Sequence, residues 1–206
     1  DSTDVIEFDY LLSRSLSKSL ELGGGLGFLS TNPDQGNGHS GINDLTIAGK
    51  YRRPMGAESV STTWIGEAGL SLPTGDSDNG LGAGGIGLLM GWGLETPLQL
   101  VTGYAHLGVR LYTEGNDTQF GNVFSYTLGA RYEMDPRWNL ACDLRGFNRG
   151  KDKINKVRRT EGVQELYLAP GTEWSPEQFP AVLSGTLLLG LSRDAYNWGL
   201  VAGIKF

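Results

Sequence analysis

The last ten residues of the chain, 197–206, constrain the fold more than any other segment. Side chains that are apolar or aromatic alternate there with glycine and other residues, from Trp198 to the terminal Phe206. Successive side chains of an extended strand point to opposite faces, so the segment predicts a strand with one apolar face. A tilted strand of about 9–11 residues is long enough to cross a bilayer.

This terminal strand resembles the closing strand of bacterial outer-membrane β-barrels. The chain has 206 residues, of which only 39% are hydrophobic and 32 are glycine, and its mean hydropathy is −0.23. Mean hydropathy does not identify membrane barrels, because only alternate residues of their strands contact lipid. The sequence contains no run of 18 or more apolar residues, so no transmembrane helix is expected.

Eleven segments alternate in this way, and their connections are alternately short and long. We predict strands at 5–13, 18–28, 42–52, 59–72, 81–93, 98–111, 122–134, 138–148, 162–174, 181–192 and 197–206. We expect short turns near 15–18, 54–57, 94–97, 134–137 and 175–178. Four of these five contain proline, which ends strand pairing. Short turns at one end and longer polar loops at the other are typical of outer-membrane barrels.

The two faces of the predicted strands differ in polarity. In segment 122–134, Phe124, Leu128 and Tyr132 share one side, while Ser125 and Arg131 share the other. A soluble sandwich or a lipocalin-like barrel would also alternate, with its apolar side chains inside. Alternation alone therefore leaves the soluble and the membrane interpretations open.

Three features favour an inverted barrel with apolar side chains outside. Aromatic residues lie at strand ends on the apolar face, where interface girdles form. These residues are Phe8, Tyr10, Trp92, Tyr132, Trp138, Trp174, Trp198 and Phe206. The opposite face carries charges of both signs on neighbouring strands, with Arg131 and Glu133 expected beside Asp143 and Arg145. Its many glycines would leave a soluble core empty. We therefore predict an all-β, transmembrane, antiparallel up-and-down barrel that forms a single domain over 1–206.

Eleven is an odd number, whereas single-chain bacterial barrels close with an even number of strands. We expect about twelve strands, with either a further strand before residue 1 or one segment divided wrongly. Asp1 suits a processed or truncated start. A twelve-stranded barrel is wider than the eight-stranded kind that side chains fill, so space in the lumen is expected.

The stretch 70–76, Leu-Ser-Leu-Pro-Thr-Gly-Asp, follows a glycine-containing strand and enters a loop. It resembles an element of the meta-pathway phenol-degradation-like outer-membrane family. The resemblance implies a twelve-stranded outer-membrane channel that takes up small hydrophobic or aromatic compounds, and it implies no catalytic residues. Compared with the family pattern, a first strand and the segment before it are expected to be missing from this sequence. Pro73 to Asp76 is also a good turn sequence that needs no special function.

The sequence does not favour an enzyme. An esterase or phospholipase site needs a serine beside a histidine and an orienting acid, and no Gly-x-Ser-x-Gly elbow occurs. His106 is expected on the polar face, as a hydrogen-bonded lumen residue, and His39 in a solvent-facing loop. Two histidines and scattered carboxylates have no metal-ligand spacing, so no metal or cofactor is expected. Cys142 is expected on the lipid face as a small hydrophobe.

Charge indicates what the chain contacts. The net charge of −6 argues against a nucleic-acid partner. The basic loop 149–159 is expected to contact lipopolysaccharide phosphates or solvent. The charges of the polar face would either line a selective conduit or form ion pairs that close a narrow lumen.

We therefore predict a passive, porin-like channel for small solutes in the outer membrane of a Gram-negative bacterium. The residues expected to line its lumen are Tyr104, His106, Arg110, Arg131, Glu133, Asp143 and Arg145. The alternative is a structural barrel with a sealed lumen that anchors a partner protein in the envelope. Single-channel conductance distinguishes these two functions.

Overall fold

The fold was analysed in a computed structural model and is built from β-strands. The described residues are 3–33, 38–56, 62–79, 81–115, 118–154, 157–158, 162–177 and 181–205. The long strands are β1 (Thr3–Ser15), β2 (Leu20–Pro33), β4 (Leu45–Met55), β5 (Thr62–Leu72), β6 (Gly87–Leu98), β7 (Val101–Tyr112), β9 (Val123–Asp135), β10 (Trp138–Arg149), β13 (Val163–Trp174), β14 (Val182–Gly190) and β15 (Trp198–Lys205). The short strands are β3 (His39–Ile42), β8 (Thr118–Gln119), β11 (Lys153–Ile154) and β12 (Val157–Arg158).

Twelve strands form one sheet whose pairings close into a ring. Its order is β1-β15-β14-β13-β10-β9-β7-β6-β5-β4-β2-β3, and β1 also pairs with β2. Neighbouring strands are antiparallel except β1 and β15, which pair in parallel from Val5↔Gly199 to Leu11↔Lys205. Eleven long strands joined by hairpins bring the first and the last in the same direction, so the closing pair is parallel.

The predicted all-β barrel and its eleven long strands are confirmed. The twelfth strand of the sheet is the four-residue β3, which pairs with the end of β2. The other alternative, a full-length strand before residue 1, concerns a segment outside the described residues. Beyond the barrel, β8, β11 and β12 form a separate three-stranded sheet from two of the longer connections.

Two predicted boundaries on either side of β6 are wrong. The turn expected at 94–97 lies at Gln99 and Leu100, because Leu98 pairs directly with Val101. Gln99 takes a positive φ of 53°, which suits a tight hairpin. Residues 81–86, expected to begin the strand, are instead part of a loop. Their glycines carry no side chains to stabilise strand pairing.

The strands place apolar side chains on the outside of the barrel. Paired residues of neighbouring strands share a face, and Leu144, Leu128 and Ala105 form one such row. Leu128 is 62% exposed and Leu140 is 43% exposed, whereas Asp143 is only 4% exposed. Polar side chains therefore point inward, which is the reverse of a soluble barrel.

Aromatic rings lie at both edges of this outer surface. Near the short turns, Trp138 stacks on Trp174 with ring centroids 5.7 Å apart, and Tyr51 meets Trp64 edge-on at 6.2 Å. Trp198 lies at the opposite edge, at the start of β15. Exposed aromatic residues at two levels are what lipid headgroup regions favour. Among the described residues, no helix is long and apolar enough to span a membrane.

Candidate channel lumen

The lumen holds a row of cavities along the barrel axis. The mouth cavity, of about 490 Å³, lies near the longer connections and is lined by Asp44, Arg110, Tyr112 and Arg149 among others. The middle cavity is about 270 Å³ and shares Arg110 and Val123 with it. The inner cavity, of about 370 Å³, lies toward the short turns and shares His106 and Phe147 with the middle cavity. Each of these cavities thus adjoins the next, from the mouth toward the short turns.

A buried ion pair lies beside the inner cavity. Arg145 donates from Nε and Nη2 to Oδ2 of Asp143, at 3.0 and 2.6 Å, and the Tyr104 hydroxyl donates to Oδ1. A Cβ at position 129 would collide with the Asp143 carboxylate and with the Tyr104 ring. Gly129 therefore leaves the space in which the two side chains from β7 and β10 meet.

His106 lies where the middle and inner cavities adjoin. Its Nε2 is 3.7 Å from Oε2 of Glu67 on β5, and both side chains are partly exposed. The ring lies over Gly91 and Gly93 of β6, and a Cβ at position 91 would be 2.9 Å from Nε2. Glycine on the intervening strand thus lets a side chain of β7 reach toward β5.

A third cluster crosses the closing pair of strands. Glu21 on β2 accepts from Nζ of Lys205 on β15 at 2.7 Å, and its other oxygen is 3.3 Å from Nη1 of Arg52 on β4. Since β1 lies between β2 and β15, the Glu21–Lys205 contact spans the parallel seam. Only 13% of the Glu21 side chain is exposed, so lumen water screens this contact less than a surface pair.

The connection between β5 and β6 is residues 73–86, here called the mouth segment, of which all but residue 80 are described. Oδ1 of Asp44 accepts from the Gly75 N–H at 3.0 Å, and Oδ2 accepts from the Ala83 N–H at 2.8 Å. The Thr74 hydroxyl accepts from the Leu45 N–H at 2.8 Å. One carboxylate therefore holds both arms of the segment against the start of β4.

Packing around the mouth segment requires its glycines. A Cβ at position 75 would be 2.3 Å from the carbonyl oxygen of Leu81, and one at position 82 would be 2.5 Å from Oδ1 of Asp44. Leu81 and Ala83 are buried, and Ala83 lines the mouth cavity. The Leu-Pro-Thr-Gly-Asp stretch thus anchors a segment that lines the mouth cavity.

The structure places the seven predicted lumen residues as follows. Tyr104, His106, Arg131, Asp143 and Arg145 line the inner cavity. Arg110 lines the mouth and middle cavities. Glu133 is exposed near the end of β9. The residues described contain no group of three or more His, Cys, Asp or Glu that could hold a metal ion.

Sequence reasoning did not identify two arrangements. It placed Arg131 and Glu133 beside Asp143 and Arg145, but the close pair joins Asp143 and Arg145 of one strand. It assigned no role to Asp44 as an acceptor for the mouth segment. Asp44 directly precedes a strand. The glycines at 75 and 82 were the sequence signal that other groups pack closely against the backbone of this segment.

The fold is similar to that of a solved outer membrane channel from Pseudomonas putida F1. The two chains are 18% identical with a TM-score of 0.73, and the match covers 88% of this chain and 74% of the channel. No curated protein matches this chain. Residues 3–205 match the family model described as the MetA-pathway of phenol degradation. From this match over nearly its whole length, the chain belongs to that family.

Proposed function

We propose that the protein is an outer-membrane channel through which small solutes, including aromatic compounds, diffuse passively. The observation that supports this most is the row of adjoining cavities inside a barrel whose outer surface is apolar. Water-filled lumina with charged walls conduct small solutes without bond chemistry. The similar fold of an outer membrane channel and the family's association with phenol degradation agree with this function.

The lipid partners follow from the same surface. The apolar band between the aromatic edges would contact outer-membrane acyl chains. The basic stretch 149–159 begins with Arg149, which ends β10 and lines the mouth cavity. Its later residues follow β10 in one of the longer connections, which in outer-membrane barrels face the cell exterior. Lipopolysaccharide phosphates there would attract the Lys and Arg side chains that follow Arg149.

Arg131 is the residue through which we expect the inner cavity to select ions. It lines that cavity, and no carboxylate of the described residues lies within ion-pair distance of it. Arg145, by contrast, is neutralised by Asp143 at 2.6 Å. A positive charge without a close partner in a narrow lumen favours anions.

Planar-bilayer recording tests the function and this assignment together. Wild-type protein should give discrete single-channel currents, whereas a sealed lumen, as in a structural barrel, would give none. The Arg131→Gln variant should shift the reversal potential in a salt gradient toward cations. Arg53→Gln is the matched control, because Arg53 pairs with Trp64 on the outward face. Equal reversal potentials for wild type and Arg131→Gln would refute the role of Arg131.

A further inference from the structure

We propose that Arg110 and Arg149 form a binding site for a small aromatic carboxylate in the mouth cavity. The two arginines lie in one row of the sheet, because Val123 pairs with Arg110 on one side and with Arg149 on the other. Strands are spaced about 4.8 Å apart, so the two Cα atoms are about 10 Å apart. Both side chains line the same cavity as Val123. This separation allows two guanidinium groups to contact one small anion.

Neither arginine has a carboxylate partner within 4.0 Å among the described residues. The acids around the two arginines have other partners. Asp44 accepts two backbone N–H groups, and Glu67 faces His106. Glu165 lies near enough to Arg149 for their charges to interact, but beyond ion-pair distance, and its carboxylate accepts from the Tyr167 hydroxyl at 3.1 Å.

Two like charges in a partly enclosed space repel each other, and lumen walls of low polarity screen them less than bulk water does. An anion bound between them would remove this cost. Guanidinium groups bind carboxylates in a planar, two-point geometry that few other anions match as well. The charge arrangement therefore favours an organic carboxylate over a simple halide.

The rest of the site favours an aromatic body for that ligand. The ring of Tyr112 lies 6.2 Å from the ring of Phe120, tilted by 58°, and both rings line the mouth cavity. Arg110 donates to the Tyr112 hydroxyl at 3.2 Å, which places a guanidinium at the edge of this aromatic pair. The cavity of about 490 Å³ is within the range of small-molecule sites.

Calorimetric titration of the folded barrel in detergent with sodium benzoate tests the site. Wild-type protein should bind benzoate, and Arg110→Gln and Arg149→Gln should each weaken binding about ten- to a hundredfold. Lys at either position should retain part of the affinity, since it keeps the charge without the planar fork. Arg53→Gln on the outward face should bind as wild type does.

Two other probes separate charge from ring. Cyclohexanecarboxylate should bind more weakly than benzoate, and benzyl alcohol should not bind measurably. Equal benzoate affinity in wild type and in the folded Arg110→Gln/Arg149→Gln variant would overturn the proposal, as would equal binding of benzyl alcohol.

That the bound carboxylate is also a transported solute rests on the proposed channel function. The binding site and the channel function can nevertheless be refuted independently of each other. Benzoate binding without single-channel current would leave the site intact and refute the channel. Current without benzoate binding would leave the channel intact and refute the site. Reversible interruption of the current by benzoate, lost in the double variant, would support both.

Discussion

At the scale of single residues, Asp143 shows how a charge is accommodated inside the barrel. The residue is only 4% exposed, and its carboxylate accepts from Arg145 and from Tyr104. A buried charge is tolerated only where it is paired and hydrogen-bonded. The pair requires Gly129 beneath it, because a Cβ there would collide with both partners.

Replacing Arg145 with Gln should therefore destabilise the barrel. Asp143 would keep the Tyr104 hydroxyl but lose its cation, at an expected cost of about 2–3 kcal/mol. This is less than in a dry core, since 30% of the Arg145 side chain is exposed. A urea titration, with the heat-dependent gel mobility of the barrel as its readout, would measure the loss in free energy of unfolding.

The surface pair Arg137–Glu177 provides the matched control for Arg145. Its atoms approach to 3.4 Å, but both side chains are mainly exposed, so Arg137→Gln should change the free energy of unfolding by less than about 1 kcal/mol. The double variant Asp143→Asn/Arg145→Gln should lose less free energy of unfolding than Arg145→Gln alone, because it leaves no unpaired buried carboxylate. A loss in Arg145→Gln no larger than in Arg137→Gln would contradict the importance of the buried pair.

At the scale of elements, the mouth segment is held by side chains rather than by strand pairing. Asp44 fixes Gly75 and Ala83, and Leu81 is buried. Gly82 and Ala83 of the segment line the mouth cavity, at the end where the longer connections lie.

The Asp44→Ala variant should release the mouth segment and raise the single-channel conductance. Each hydrogen bond to a carboxylate contributes about 1.5–3 kcal/mol, so losing two should increase the undocked fraction more than tenfold. The conductance of Asp44→Asn should lie between those of wild type and Asp44→Ala, because an amide oxygen can still accept one N–H. Limited proteolysis would report the release independently.

Asp135 is the control for Asp44 at the other end of the barrel. It also accepts two backbone N–H groups, from Arg137 and Trp138, but it lies in a short turn outside the lumen. Asp135→Ala should leave the conductance unchanged. Unchanged conductance in Asp44→Ala as well would show that the mouth segment does not limit the aperture.

The contrast between strands and mouth segment explains what the sequence could predict. Period-two alternation depends on which residues meet lipid, so segments such as 122–134 and 138–148 were placed within one or two residues of β9 and β10. The glycines of 81–86 have no side chains to alternate, and their conformation depends on Asp44, which is 31 residues from Gly75. Long-range hydrogen bonds of this kind leave no periodic signal.

At the scale of the whole molecule, ring closure and the inverted surface act together. The eleven long strands close through the parallel β1–β15 pair, and Lys205 reaches across β1 to Glu21 at 2.7 Å. Parallel pairs are slightly less stable per residue than antiparallel pairs, so an inward ion pair spanning this seam supports the closure. The outside of the ring carries the exposed apolar side chains.

The inverted surface is tested best on one strand, where adjacent residues face opposite solvents. Leu128 lies midway between the outward-facing Phe124 and Tyr132. Their separation corresponds to about 27 Å along the strand and to about 21 Å along the axis of a barrel with tilted strands.

Leu128→Arg would place a charge near the bilayer centre and should lower the free energy of unfolding by about 2–4 kcal/mol. Thr127→Arg is the matched control, since Thr127 lines the inner cavity, where water can solvate the new charge. Urea unfolding in phospholipid vesicles, followed by tryptophan fluorescence, should show a large loss for Leu128→Arg and a small one for Thr127→Arg. Equal losses in the two variants would mean that the outer face of β9 does not meet hydrocarbon, because only a lipid environment distinguishes these neighbours so strongly.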